Sequence, residues 1–228
     1  MSSVFPVVLI MQKLLTEAGE STQAREMQAY MKIAKRFYGV KAPERKAIFK
    51  QAQAYSPIDT FEKYTALIRW LWSGQYREEQ YLALDVAEGY SCFRTVAAMD
   101  LYEELIFSAD NWDVLDRLAV GLVGPLLLEH SDLEARVVKW RTDSNMWVRR
   151  ASLLVRLKHK QATNVVLLEE TILMLAQEED YFIRKAIGWV LREYSKTDPA
   201  YVNEFLRRHV LSPLSYREAT KIMVKSLS

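Results

Sequence analysis

Cysteine is almost absent from this sequence: Cys92 is the one thiol in 228 residues, which excludes a disulfide framework and a Cys-rich zinc site. Glycine and proline are scarce as well, at 7 and 6 residues, too few for the turns of an all-β sandwich. No apolar run approaches the roughly 20 residues that span a bilayer. The opening stretch from Val4 to Met11 is stopped by Gln12 and Lys13 and reads as a core helix, not an anchor. The N-terminus lacks the form of a cleavable signal, so the expected compartment is the cytosol. Phosphate-loop, dinucleotide-binding and zinc-protease spacings are missing, and His130, His159 and His209 are scattered without ligand spacing. Those absences weigh against nucleotide hydrolysis and metal chemistry, and no cofactor is expected. Any catalysis would rest on a carboxylate helped by aromatic and cationic groups.

What is abundant is Leu, Ala, Lys, Glu, Gln, Arg and Met, within a chain that is 50% hydrophobic and 26% charged. That balance predicts a soluble all-α protein, one domain over 1–228 or a continuous array. Apolar periodicity predicts helices near 6–18, 21–36, 43–54, 59–72, 77–90, 94–107, 112–128, 132–141, 145–158, 163–176, 180–195, 199–209 and 213–224. The punctuation agrees. Pro43, Pro199 and Pro213 stand where first-turn prolines belong, Ser21 and Asp198 are N-cap candidates, and Gly19 and Gly39 fall just past helix ends.

The second half carries a weak repeat. The nine residues from Trp147 to Val155 align with those from Phe182 to Val190, 35 positions later, and more loosely with Trp112 to Val120, 35 earlier. Helix pairs at this spacing are the mark of an α-solenoid, and the TPR and ankyrin consensus residues are missing. The expected architecture is therefore a HEAT-like solenoid of about six helix pairs, curved, with the inner helices sharing a concave groove.

Counting from each leading aromatic, 3.6 residues per turn place Val148, Ser152 and Val155, then Ile183, Ile187 and Val190, on a core face. The adjoining face holds Trp112 and Asp116, then Trp147 and Arg150, then Phe182, Lys185 and Trp189. Aromatics interleaved with charge suit a surface that something covers. Trp112, Asp116, Arg150 and Trp189 are expected to converge there, with Asp116 the best acid because Trp112 precedes it by one turn. Charge adds a regional signal: residues 1–110 carry 13 basic and 14 acidic groups, whereas residues 136–160 carry eight basic groups against Asp143 alone. Such a stretch suits phosphates. Plainer readings stand beside these. The basic stretch equally describes a solvated face, Trp147 and Trp189 suit a core, Arg150 suits an ion pair with a neighbouring repeat, and Tyr30 suits a buried tyrosine.

Several ordered blocks resemble the AlkD-type DNA alkylation repair glycosylases, bacterial HEAT-like repeat proteins. They are Tyr30-Met31-Lys32 with Gly39 to Arg45; Trp112-Asp113-Val114-Leu115-Asp116; Met146 to Ala151; Phe182 to Tyr194; and Leu211 to Ala219. The resemblance covers nearly the whole chain. It implies excision of N3- and N7-alkylated purines from duplex DNA by a monomer, without metal or cofactor and without an obligate protein partner. It implies that Trp112 and Trp189 are aromatic walls, Asp116 the catalytic carboxylate and Arg150 a DNA-backbone contact, with Tyr30 near the DNA. Arg192, Lys185, Arg149 and Lys160 are implied phosphate contacts. Asn111 departs from the pattern, where family members often carry a second Trp. A non-catalytic DNA-binding or protein-interaction scaffold is the alternative use of such a fold.

Overall fold

A computed structural model describes residues 5–55 and 57–222, and these are predominantly helical, with no strand among them beyond an isolated bridge between Arg36 and Tyr76. Each of the thirteen expected segments contains a helix. Residues 223 and 224 of the last expected helix, and Val4 of the opening run, lie outside the described residues. The chain forms two compact units, residues 1–101 and 102–228.

The first unit contains α1 (Phe5–Ala18), α2 (Ser21–Met31), α3 (Ala42–Tyr55), α4 (Phe61–Trp72) and α5 (Arg77–Gly89). The apolar N-terminal run does form a core helix: Val7, Val8, Met11 and Leu15 of α1 are buried, and α1 packs on α3 and α4. Spacing of one turn between these residues puts them on one face. α2 is shorter than the periodicity implies. It ends at Met31 because Lys32 adopts the left-handed conformation, φ 52° and ψ 39°. The chain then runs extended to a buried anchor, the carboxylate of Glu78 at the start of α5. That side chain accepts the backbone N–H groups of Tyr38 at 3.1 Å, Gly39 at 2.9 Å and Val40 at 3.1 Å. A fully buried carboxylate is tolerable only when its acceptor capacity is filled in this way. Gly39 sits here at φ 88°, and a Cβ on it would lie 2.1 Å from the Glu20 carbonyl oxygen, so only glycine fits.

α6 (Met99–Ser108) carries the chain into the second unit, which contains α7 (Trp112–Arg117), α8 (Gly124–Glu129), α9 (Glu134–Lys139), α10 (Met146–Leu154), α11 (Val165–Leu175), α12 (Tyr181–Tyr194), α13 (Pro199–Arg208) and α14 (Pro213–Thr220). Between α7 and α8 the helix widens into a π segment, Leu118–Val123, where periodicity alone predicts an uninterrupted helix over 112–128. The Gly124 N–H reaches back five residues to the Ala119 carbonyl. Pro125 follows, and its missing N–H removes the ordinary bond to Gly121, so the turn is relieved by widening.

The repeat units named in the sequence pack in order, α7 on α10 and α10 on α12. Their core face is buried as the frame requires, with Val148, Ser152, Ile183 and Ile187 inaccessible and Val155 and Val190 nearly so. α12 also packs closely on α14, and Gly188 permits that approach: a Cβ there would meet Glu218 Cβ at 2.4 Å and the Ser215 carbonyl at 2.6 Å.

Candidate functional site

Asp116 lies in the last turn of α7, one turn after Trp112, which opens that helix. Asn111 is the N-cap, its side-chain oxygen accepting the Trp112 N–H at 2.8 Å. The residue that departs from the resembled pattern thus starts the helix that carries the candidate acid, and Asn before an apolar run is a readable cap signal.

Arg150, on α10, binds Asp116 through both edges of the fork. Nε donates to Oδ1 and Nη2 to Oδ2, each at 2.8 Å. Nη1 donates to the Phe182 carbonyl in the first turn of α12. One guanidinium therefore ties three consecutive repeats together: carboxylate from the first, cation from the second, backbone oxygen from the third. The side chains of Arg150 and Asp116 are 5% and 15% exposed. Burial pushes the Asp116 carboxyl above its ordinary value of 3.8, and the hydrogen bonds and charge of Arg150 pull the other way. Asp113 adds a smaller upward push.

The aromatic residues of this face are half-buried. Trp112 and Trp189 each keep partial access to solvent, and among the described residues they form no ring pair with one another. Trp147 instead meets Phe182, the leading aromatic of the next repeat, with ring centroids 4.9 Å apart, and Tyr181 meets the same Phe182 edge-on. The 3.6-residue frame puts Leu115, Ala119, Ala151, Leu154 and Ala186 on this same face, between the aromatic and charged residues, and all five are fully buried. The face is a packed seam with half-buried aromatic rims.

The charge pattern changes most between sequence and structure. Arg150 is not a free surface cation. Arg149 grips Glu178 through Nε at 2.6 Å and Nη2 at 2.8 Å, and its Nη1 donates to the Asp143 and Ser144 carbonyls. Arg136 pairs with Glu103, Arg141 with Glu170 and Arg156 with Glu134. Five of the eight cations between 136 and 160 are thus matched by acids 22 to 34 residues away. Arg192 is engaged similarly, by Glu218 at 2.6 Å. A sequence window cannot include partners one repeat distant, which is why it overstates the positive field. Lys160 is exposed, Lys185 lies 5.7 Å from the centre of the Tyr181 ring, and Tyr30, in the first unit, is 74% exposed and not a buried tyrosine. Among the described residues, no group of three His, Cys, Asp or Glu side chains is arranged to hold a metal ion, and no helix is long and apolar enough to cross a membrane.

A family model described as DNA alkylation repair enzyme matches residues 11–223, spanning both units. A solved structure titled "Predicted DNA alkylation repair enzyme from Enterococcus faecalis" is similar to the chain at 33% identity and a TM-score of 0.84, over 91% of this chain and 97% of that one. No curated protein matches.

Proposed function

The chain belongs to the DNA alkylation repair enzyme family, and from that premise we propose that it is a DNA glycosylase hydrolysing the N-glycosidic bond of N3- or N7-alkylated purines in duplex DNA. The observation that carries this reading is the half-hidden Asp116 carboxylate, held by Arg150 one turn from an accessible indole.

Alkylation at N3 or N7 leaves the purine positively charged, so the base departs without being protonated. Positive charge then develops on the deoxyribose as an oxocarbenium ion, as in sugar hydrolysis generally. A carboxylate beside that sugar stabilises the cation and orients or deprotonates the attacking water; each of these effects is worth about 10²–10⁴-fold. Asp116 is the group assigned to this work. Trp112 and Trp189 supply indole faces, whose attraction for a cation is about 0.5–2 kcal/mol where water is excluded. Arg150 is a positioning residue: it fixes the carboxylate in one rotamer and favours its ionised form. Tyr30, Lys185 and Lys160 are the assigned DNA contacts, and Arg149 and Arg192 act chiefly through the acids they hold. Water is the co-substrate, and the protein works as a monomer, a HEAT-like repeat domain without metal or cofactor.

A second reading has an observation in its favour. A bidentate, buried Asp116–Arg150 pair is also what a purely structural inter-repeat tie looks like, as in a scaffold that grips DNA without chemistry. Mass spectrometry of bases freed from alkylated duplex separates the two. The glycosylase releases cationic purines, and Asp116→Asn lowers that release by about 10²–10⁴-fold while duplex binding persists. A wild-type protein that binds the duplex and frees no base is the scaffold.

A further inference from the structure

Arg150 is set between two partners, and the second of them is a backbone oxygen, the Phe182 carbonyl in the first turn of α12. A carbonyl in that position is a fixed acceptor only if the turn itself is held. The first N–H groups of a helix have no partner within it, and an uncapped first turn frays. Asp180 supplies the cap. Its Oδ1 accepts the Phe182 N–H at 2.7 Å and the Ile183 N–H at 3.3 Å. The residue whose carbonyl receives Arg150 is thus the one whose own N–H is bound by Asp180.

The approach to this cap is tied back to α10 as well. Arg149 grips the Glu178 carboxylate through both edges, and Arg184 Nε donates to the Glu178 carbonyl at 2.8 Å. On the far side of the cap, the Phe182 ring packs against Trp147 with centroids 4.9 Å apart, and the Arg150 guanidinium carbon lies 6.0 Å from the centre of the same ring. Neighbouring arginines of α10 therefore bracket Asp180, one holding the residue two before it and the other the residue two after it.

We propose that Asp180 is a positioning residue for Asp116: by fixing the first turn of α12 it holds the Phe182 carbonyl where Arg150 needs it, and so keeps the guanidinium fork closed on the Asp116 carboxylate. The part that this carboxylate plays in base release rests on the glycosylase reading above; the relay from Asp180 to Asp116 does not. The charged groups acting on Asp116 are Arg150 from α10 and Asp113 from its own helix. A loosened Arg150 leaves burial and Asp113 less opposed, so the carboxyl takes up its proton at higher pH.

The test uses the full chain with ¹³C-labelled aspartate. The Asp116 carboxyl carbon is assigned by its loss in Asp116→Asn and followed against pH in the wild type, Asp180→Ala, Asp180→Asn and Asp198→Ala. Asparagine caps a helix about as well as aspartate and lacks the charge. Asp198 caps α13 in the same manner, accepting the Tyr201 N–H at 2.8 Å, and α13 has no part in the Asp116–Arg150–Phe182 tie, so its variant reports a lost cap alone. The expected result in Asp180→Ala is an Asp116 midpoint raised by about 0.5–1 pH unit, a fraction of the roughly 1–3 that an adjacent arginine is worth. Asp180→Asn and Asp198→Ala stay close to the wild type. Base release well below the midpoint falls in Asp180→Ala by the matching factor, about three- to tenfold. An unmoved midpoint in Asp180→Ala, with Tm lowered as in Asp198→Ala, reduces Asp180 to a helix cap and overturns the proposal. A midpoint moved equally by Asp180→Asn overturns it too, since the lost charge then accounts for the effect. Should the wild type free no alkylated base while the Asp116 midpoint still moves in Asp180→Ala, the glycosylase reading fails and the positioning role stands.

Discussion

At the scale of single residues, the Asp116–Arg150 pair joins the chemistry to pH. Burial holds the Asp116 carboxyl above 3.8, so on acidification it takes up its proton earlier than an exposed aspartate does. On the proposed mechanism the carboxylate is the working form, so base release is expected to fall on the acid side with a midpoint above that value. Arg150 opposes the upward shift. Replacing it by Met removes that opposition, so the acid limb of the release profile moves to higher pH, and Arg150→Lys moves it part of the way back. A limb that stays in place in Arg150→Met would dissociate the arginine from the acid. Asp116 was legible as a candidate because it shares a helix face with Trp112 at a spacing of four. Its partner was only half legible: the repeat frame put Arg150 on the same face, but the sequence left open whether the guanidinium faced solvent or an acid. The choice depends on how the axes of α7 and α10 approach, which no local pattern encodes.

At the scale of elements, helix existence follows from apolar spacing, caps and first-turn prolines, all local quantities. Asp198 and Ser212 cap α13 and α14, each followed by proline, and these helices begin where the sequence puts them. Helix ends were less readable where a distant side chain intervenes. α2 stops at Met31, short of the expected 36, as the following strand-like segment delivers three N–H groups to Glu78, about 40 residues on. Glu78→Ala leaves those donors buried and unsatisfied, at about 1–3 kcal/mol each. The expected outcome is a fall of several kcal/mol in unfolding free energy, read as a lower denaturant midpoint; a change under about 0.5 kcal/mol, typical of an ordinary surface substitution, would contradict the anchor. The π segment that follows Asp116 is a similar case. Pro125 was visible, but whether a proline kinks, ends or widens a helix is settled by what packs around it, here the close approach of Gly124 to the Val155 carbonyl.

At the scale of the molecule, the second unit is laced by arginine–carboxylate pairs that step from one repeat to the next, Arg150 to Asp116, Arg149 to Glu178, Arg141 to Glu170 and Arg192 to Glu218. These arginines hold the repeats in register, while the uncommitted lysines set the field that a polyanion meets. The two groups therefore respond differently to substitution. Arg149→Ala, which breaks a bidentate charged pair, lowers stability by about 1–3 kcal/mol and is read in Tm; Lys185→Ala leaves Tm nearly unchanged and flattens the salt dependence of duplex binding by about one phosphate contact. If both substitutions alter only the salt slope, the division between structural and DNA-facing cations is lost. The sequence by itself determined the helical class, the placement of the helices, the 35-residue repeat and the face on which Asp116, Arg150 and the tryptophans lie, because propensity, capping and period act over a few residues. The tertiary structure alone decided which charges are spent on one another and which aromatics remain partly open. Those outcomes depend on side chains brought together from 20 to 40 positions apart, and an ion pair or a cavity exists only once the helices that frame it have packed.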